Sequence, residues 1–293
     1  MITQNLHTHS VRDDGRNRME DMVRAAISAG LTSVGFSGHS PLPFANDWTI
    51  PAEHLADYRA EVRRLKNAYA GKIDVYCGLE WDLLSETPSD DYDYIIGSIH
   101  HIPIEGMIIN VDHSADATWR YLGECFGGNT DAAAKMYFAQ YAVLAAMESV
   151  DIIGHFDIIT KFDEQYHFFR TDSAQYRAAA LEALETLAKA DKIIEINTGA
   201  ISRGYRTTPY PSKELLKAIH GFGGRIAITS DAHSTTGIVC SFDQAEQLAL
   251  DCGFREIWIY DGKTFVPAGI GEGKKERGNE RSGNTAAENE AMS

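Results

Sequence analysis

Histidines and carboxylates recur along the chain at the ends of short apolar runs. Leu6 leads into His7-Thr8-His9, Phe36 into Ser37-Gly38-His39, and Leu79 into Glu80-Trp81-Asp82. Ile99 leads into His100-His101, Ile153 into Gly154-His155-Phe156-Asp157, Ile194 into Glu195-Ile196-Asn197, and Thr229 into Ser230-Asp231-Ala232-His233. A polar side chain at the end of a buried strand must be paired or must bind a cation. Imidazoles mixed with carboxylates, and with no thiolate among them, suit Zn, Mn or Fe better than Mg or Ca. His7 and His9 lie two apart, so on an extended segment both point to one side, and Asp231 and His233 repeat the spacing. Counted together, His7, His9, Asp14, His39, Glu80, His100, His155, Asp231 and His233 exceed the roughly four protein ligands that one ion takes. They predict two or three divalent ions with a bridging carboxylate. Ions about 3.5–4 Å apart clamp both oxygens of a phosphoryl displacement and generate hydroxide at neutral pH.

Each piece also has an ordinary reading. Asp13-Asp14-Gly15 reads as a turn, Glu80 as a helix cap or an Arg partner, and a lone His100 as a structural residue. Seven separate coincidences at seven strand ends are harder to accept than one shared site. His54 and His220 fall in helical stretches and read as surface or packing residues. His101, His113 and His167 fall in irregular segments and read as solvated loop residues.

The elements that must carry these groups alternate. Strands are expected over residues 3–7, 33–39, 74–81, 94–100, 151–156, 192–197, 225–229 and 256–260. Leu55, Tyr58, Val62, Leu65 and Tyr69 make one apolar helical stripe, ended by Gly71. Leu181, Leu184, Leu187 and Ala188 make another, with Asp172 as its N-cap; the Ala-rich stretch 131–148 predicts a further helix. The strand runs Ile95-Ile96, Ile152-Ile153, Ile193-Ile194 and Ile226-Ala227-Ile228 are continuously apolar, as in a parallel sheet covered on both faces. Eight such units over about 260 residues fit a (β/α) barrel, whose sites lie where the strands end. A doubly wound sheet lacks support, because no glycine-rich loop follows the first strand. Residues 101–130 read as a long irregular insertion.

Composition bounds the partners. The chain has 293 residues, 44% hydrophobic and 24% charged, with a net charge of −15. One domain over 1–268 is expected, followed by a disordered tail over 269–293 that is nearly free of large apolar residues. From Gly271 onward the tail holds four basic and five acidic residues, which leaves −14 on the rest. So acidic a body is a poor nucleic-acid binder. No run of about 18 apolar residues exists to span a membrane. The first residues show no secretory signal, and Cys77, Cys125, Cys240 and Cys252 are scattered. A cytoplasmic protein with free thiols is therefore expected.

The motifs Asn5-Leu6-His7-Thr8-His9-Ser10, Ser37-Gly38-His39, Gly78-Leu79-Glu80, Gly97-Ser98-Ile99-His100, Gly154-His155-Phe156-Asp157 and Thr229-Ser230-Asp231-Ala232-His233 occur in order. In this the chain resembles the PHP (polymerase and histidinol phosphatase) superfamily, and is most similar to the PHP-type histidinol-phosphatases. The resemblance implies a distorted (β/α)7 TIM-like barrel, one strand short of the count above, with the metal site at the C-terminal rim of the strands. It implies three metals: the first on His7, His9, Glu80 and Asp231; the second on Glu80, His100 and His155; the third on Asp14, His39 and His233. Many PHP proteins carry His where this chain has Asp14. The implied reaction is hydrolysis of L-histidinol phosphate, a small-molecule ester of histidine biosynthesis, by metal-bridged hydroxide. Glu80, Asp231 and His233 would be catalytic, with a group of the metal shell protonating the leaving alkoxide. Arg16, Lys161 and Arg203 follow ligand-bearing strand ends and are candidate phosphate binders; Glu195 or Asn197 would orient substrate or imidazoles. Acidic groups of the insertion, Glu105, Asp112, Asp116 and Glu124, would favour a cationic amine. The rivals are a PHP phosphoesterase for phosphotyrosine proteins, nucleotides or sugar phosphates, and a non-catalytic metal-holding PHP domain.

Overall fold

Strands that are apolar on both faces need helices on one side and a filled interior on the other. The computed structural model describes residues 2–86 and 91–271 and meets both needs. Its strands are β1 (Gln4–Asn5), β2 (Ser33–Phe36), β3 (Asp74–Asp82), β4 (Tyr94–Ser98), β5 (His101–Ile104), β6 (Met107–Asn110), β7 (Ile152–Ile153), β8 (Ile193–Asn197), β9 (Arg225–Thr229), β10 (Glu256–Tyr260) and β11 (Phe265–Gly269). Its helices are α1 (Met19–Ser28), α2 (Leu55–Ala68), α3 (Ala115–Phe126), α4 (Thr130–Ala139), α5 (Tyr141–Ala146), α6 (Asp163–Tyr166), α7 (Ala174–Lys189), α8 (Gly199–Ser202), α9 (Lys213–Gly221) and α10 (Phe242–Asp251).

Seven strands form one parallel sheet in the order β1-β2-β3-β4-β7-β8-β9. The ring closes just beyond β1 and β9, where Thr8 bridges Ala232 in parallel. There the His9 N–H donates to the Ala232 carbonyl at 2.9 Å, and the Ala232 N–H donates to the His7 carbonyl at 3.2 Å. This is a distorted (β/α)7 barrel.

The two-residue period of a strand explains how one barrel holds both a core and a site. Leu6, Tyr94, Ile96, Ile152, Ile193 and Ala227 make an apolar layer of their own, joined by Tyr76 and Tyr260. Two residues further along the same faces come Ser98, Gly154, Glu195 and Thr229, so the layer above is polar. Glycine at 35 and 78 makes room for the Tyr94 ring. A Cβ at Gly35 would sit 2.2 Å from the Tyr94 oxygen, and one at Gly78 would sit 2.3 Å from its Cζ. The Tyr94 hydroxyl donates to the Leu6 carbonyl.

Four expectations are corrected. Residues 256–260 are not an eighth barrel strand: β10 pairs antiparallel with β11. An apolar β-branched run reads the same in either sheet, and the ring is already closed. Tyr260 still joins the apolar layer, and its backbone exchanges two hydrogen bonds with the Gln4 side chain. The stretch 131–148 is two helices, broken at Gln140. Ser173, not Asp172, caps α7 by accepting from the Tyr176 N–H at 3.0 Å. Residues 101–130 are ordered: β5 and β6 form a hairpin, and Ser114 caps α3.

The barrel strands also stop short of several expected ends, because the ligand-bearing residues turn out of the ladder toward the rim. The four cysteines are free thiols. Among the described residues, no helix is long and apolar enough to cross a membrane. The expected tail lies, from residue 272 on, outside the described residues.

Candidate metal centre

Glu80 is the hub. It lies near the end of β3 and is 1% exposed. Its Oε2 faces His39 Nδ1 at 2.9 Å, His7 Nε2 at 3.2 Å and His9 Nε2 at 3.5 Å. Its Oε1 faces His155 Nε2 at 2.9 Å and His100 Nε2 at 3.1 Å, and accepts from the Ser98 hydroxyl at 2.7 Å. Asp231 Oδ1 completes the first group, 3.2 Å from His9 Nε2 and 3.7 Å from His7 Nε2. Asp14 Oδ2 lies 3.1 Å from His233 Nε2, and its Oδ1 lies 3.7 Å from His39 Nε2. All nine candidate ligands therefore meet at one rim.

Three of the buried imidazoles are aimed from behind by a carboxylate. His7 Nδ1 donates to Glu195 at 2.9 Å, His9 Nδ1 to Asp13 at 2.6 Å, and His100 Nδ1 to Asp112 at 3.4 Å. Such a partner fixes the tautomer, leaves Nε2 free for a ligand and raises its basicity. Of these carboxylates, Asp13 was missed by sequence reasoning, although its place four residues after His9 was visible. Asp231 has φ of +45°. This left-handed conformation is strained for a non-glycine residue, though Asp tolerates it better than most.

The chemistry of the donors tests whether a metal fits. His7 Nε2, His9 Nε2, Glu80 Oε2 and His155 Nδ1 are buried and have no hydrogen-bond partner among the described residues. Orphaned polar atoms of this kind are rare and need an explanation. Ligand atoms of His9, Asp14, His39 and His233 lie within 4.8 Å of one another, as do those of His7, His9 and Glu80, and those of His39, Glu80 and His100. Divalent cations beside Glu80 would satisfy the first three; His155 turns Nε2, not Nδ1, to Glu80.

The electrostatics agree. Burial pushes the His7 imidazole down, but Glu195, Glu80 and Asp231 outweigh it and hold its pKa well above the usual value. Burial likewise opposes His9, yet Asp13 raises it to about 10. Burial works against the Glu80 carboxylate, but His39 and His7 hold its pKa well down; for Asp231 the counterweights are Arg203 and His7. His233 is lowered, by burial first and then by His9 and Arg203. In the metal-free protein, protonated imidazoles thus stand in for cations. At pH 7 His7 and His9 must lose protons before they can ligate. Loading the chelated protein with Zn or Mn at pH 7 is therefore expected to release more than one proton per chain, with affinity falling as pH falls. Titration calorimetry in two buffers of different ionisation enthalpy checks this; identical heats in both would contradict it.

A pocket of about 320 Å³ opens over the cluster. Its floor includes Asp14, His39, His100, His155, Asp231 and His233, and its walls carry Asp47, Trp48, Asn110, Asp112, His113, Lys161, Arg203 and Tyr205. Arg203 grips Asp231: Nη2 donates to Oδ2 and Nη1 to the backbone carbonyl, both at 3.0 Å. Lys161 Nζ pairs with Asp112 Oδ2 at 3.0 Å. Arg16 is exposed and does not line the pocket; its backbone N–H donates to the His233 carbonyl at 2.8 Å. Asn197 is buried beneath the site, where it donates to Glu195 at 2.7 Å.

His101 is a correction. It is 3% exposed rather than solvated, and Nδ1 lies 3.3 Å from Asp82. Of the acidic residues expected to serve an amine, Glu105, Asp116 and Glu124 are exposed and do not line the pocket, and Asp112 is engaged by His100 and Lys161.

A family model described as PHP domain matches residues 5–199. A "Probable histidinol-phosphatase" of Deinococcus radiodurans is 29% identical over 250 residues, covering 81% of this chain and 88% of that protein. One of Schizosaccharomyces pombe is 25% identical over 281 residues, covering 89% of each. The solved structure of histidinol phosphate phosphatase from Lactococcus lactis subsp. lactis, complexed with Zn, L-histidinol and phosphate, covers 90% of this chain and 98% of its own. Its TM-score is 0.70 and its identity 24%, which shows the same fold. With the family model matched over more than half its length, this chain belongs to the PHP domain family.

Proposed function

We propose that the protein is a metal-dependent phosphomonoesterase that hydrolyses L-histidinol phosphate to L-histidinol and phosphate, a step of histidine biosynthesis. The observation that carries this is the convergence of His7 Nε2, His9 Nε2, Glu80 Oε2 and Asp231 Oδ1 beneath a pocket walled by Arg203 and Lys161. The names of the curated relatives support the substrate. In this reading His7, His9, Glu80 and Asp231 would hold one ion, and Glu80, His100 and His155 a second. Asp14, His39 and His233 would hold a third; Zn, Mn and Fe all suit such donors. When bound, divalent ions supply Lewis acidity toward phosphoryl oxygens and lower the pKa of water.

The chain's own residues do the rest. Glu195, Asp13 and Asp112 keep three imidazoles oriented. Arg203 offers its guanidinium edge to phosphoryl oxygens, where charge grows in the transition state. Lys161 adds a second cation, and His233 is kept neutral beside the reacting group. Chelated protein reloaded with Zn, Mn or Fe is assayed against phosphate esters. Turnover of L-histidinol phosphate should require metal and exceed that of phosphotyrosine, nucleotides and sugar phosphates by about tenfold or more in kcat/KM. Equal turnover across the panel refutes the substrate, and metal-independent turnover refutes the mechanism.

A further inference from the structure

The pocket has a wall that the phosphate chemistry does not use. It is built by residues 40–50, between β2 and α2. Asn46 shapes this loop: its Oδ1 accepts from the Trp48 N–H at 3.2 Å and the Thr49 N–H at 3.0 Å, an Asx-type turn. Ile50, fully buried, fastens the loop to the centre by donating its N–H to the His39 carbonyl at 3.0 Å.

The turn presents Trp48 over the ligands. Its ring meets His39 edge-on at 4.7 Å and His100 at 5.7 Å, and stacks on His101 at 5.7 Å with planes 22° apart. His101 is itself pinned, with Nδ1 on Asp82 and Nε2 accepting from the Asn110 amide at 3.3 Å. Trp48 is therefore a pre-positioned aromatic surface, half-buried, with part of its ring open to the pocket. Beside it Asp47 also lines the pocket, exposed, and its carboxylate has no cation or hydrogen-bond partner among the described residues. The other pocket carboxylates are engaged: Asp14 by His233, Asp112 by Lys161, Asp231 by Arg203. The cations Arg203 and Lys161 reach the centre from other loops, after β8 and β7.

We propose that Asp47 and Trp48 form the leaving-group subsite, which selects phosphate esters of alcohols that carry both a flat ring and an ammonium group. The ring lies against Trp48 and the ammonium faces Asp47. His101 acts as a positioning residue that holds the Trp48 plane. This rests on the phosphomonoesterase reading above and assigns two residues that sequence reasoning did not single out. Stacking on a fixed indole is worth about tenfold in specificity, whereas an ion pair to an exposed Asp47 is worth about threefold.

The test uses metal-loaded full-length protein as wild type, Trp48→Ala, Trp48→Phe and Asp47→Asn, with four esters: L-histidinol phosphate, p-nitrophenyl phosphate, phosphoethanolamine and glycerol phosphate. Trp48→Ala should lower kcat/KM for the two ring esters relative to glycerol phosphate by about tenfold, and Trp48→Phe should restore most of that ratio. Asp47→Asn should lower the two ammonium esters relative to p-nitrophenyl phosphate by about threefold. Ratios unchanged in Trp48→Ala or in Asp47→Asn overturn the assignment. A wild type that does not favour L-histidinol phosphate refutes the substrate named above, but the ring and ammonium ratios still decide the subsite.

Discussion

Glu80→Gln is expected to strip the protein of most of its metal and to slow turnover of L-histidinol phosphate by about a thousandfold or more. The magnitude follows from position. Glu80 faces five imidazoles, three from Oε2 and two from Oε1. Gln keeps the shape but exchanges one acceptor for an NH₂ group that repels cations. Lewis-acid stabilisation is worth several kcal/mol, and about 1.4 kcal/mol is tenfold in rate. Elemental analysis and steady-state kinetics measure both effects; full metal content with turnover within tenfold of wild type would sink the proposal. The metal-free variant should also melt earlier. The Glu80 carboxyl is held well below its ordinary 4.5, so its contribution is present above that value and is lost as pH falls beneath it. The gap in Tm between metal-free wild type and variant should be present at pH 7 and close in acid.

The ligands were legible because of where strands end. Ile193, Glu195 and Asn197 share one face by the two-residue period, so an apolar layer and a polar rim follow from the same run. The same holds for Ala227 and Thr229, with Asp231 just beyond. What was not legible depends on tertiary approach. Asp47 beside Trp48 is one carboxylate in an acidic chain, and nothing in its own neighbourhood marks it out among 42 such groups. The hairpin of β5 and β6 did leave a signal. Glu105 and Gly106 take φ of +47° and +84° between two apolar runs, and a two-residue turn ending in Gly favours that geometry. The Gly, Asp and Asn content of the following residues obscured it. The eighth apolar run was misplaced for a different reason: strand character does not say which sheet a strand joins, and β10 found its partner in β11.

Arg203→Ala should lower kcat by about 10²–10³-fold, as loss of one preorganised donor to a developing anion does. Arg203→Lys should recover little of it. The guanidinium makes three contacts at once: Nη2 to Asp231 Oδ2, Nη1 to the Asp231 carbonyl, and Nη1 to His233 Nδ1 at 2.7 Å. A lysine ammonium is a point charge and cannot span that fork. The two oxygens of Asp231 divide its work, with Oδ1 toward His7 and His9 and Oδ2 toward Arg203. In the proposed reaction Arg203 would therefore both face the phosphoryl group and keep a strained ligand aimed. The two roles separate experimentally. Loss of phosphoryl binding weakens inhibition by inorganic phosphate, whereas loss of aim lowers metal content. Weaker phosphate inhibition with metal retained assigns the guanidinium to the phosphoryl group. Unchanged inhibition by phosphate in Arg203→Ala would remove Arg203 from substrate contact and leave it as a support for Asp231.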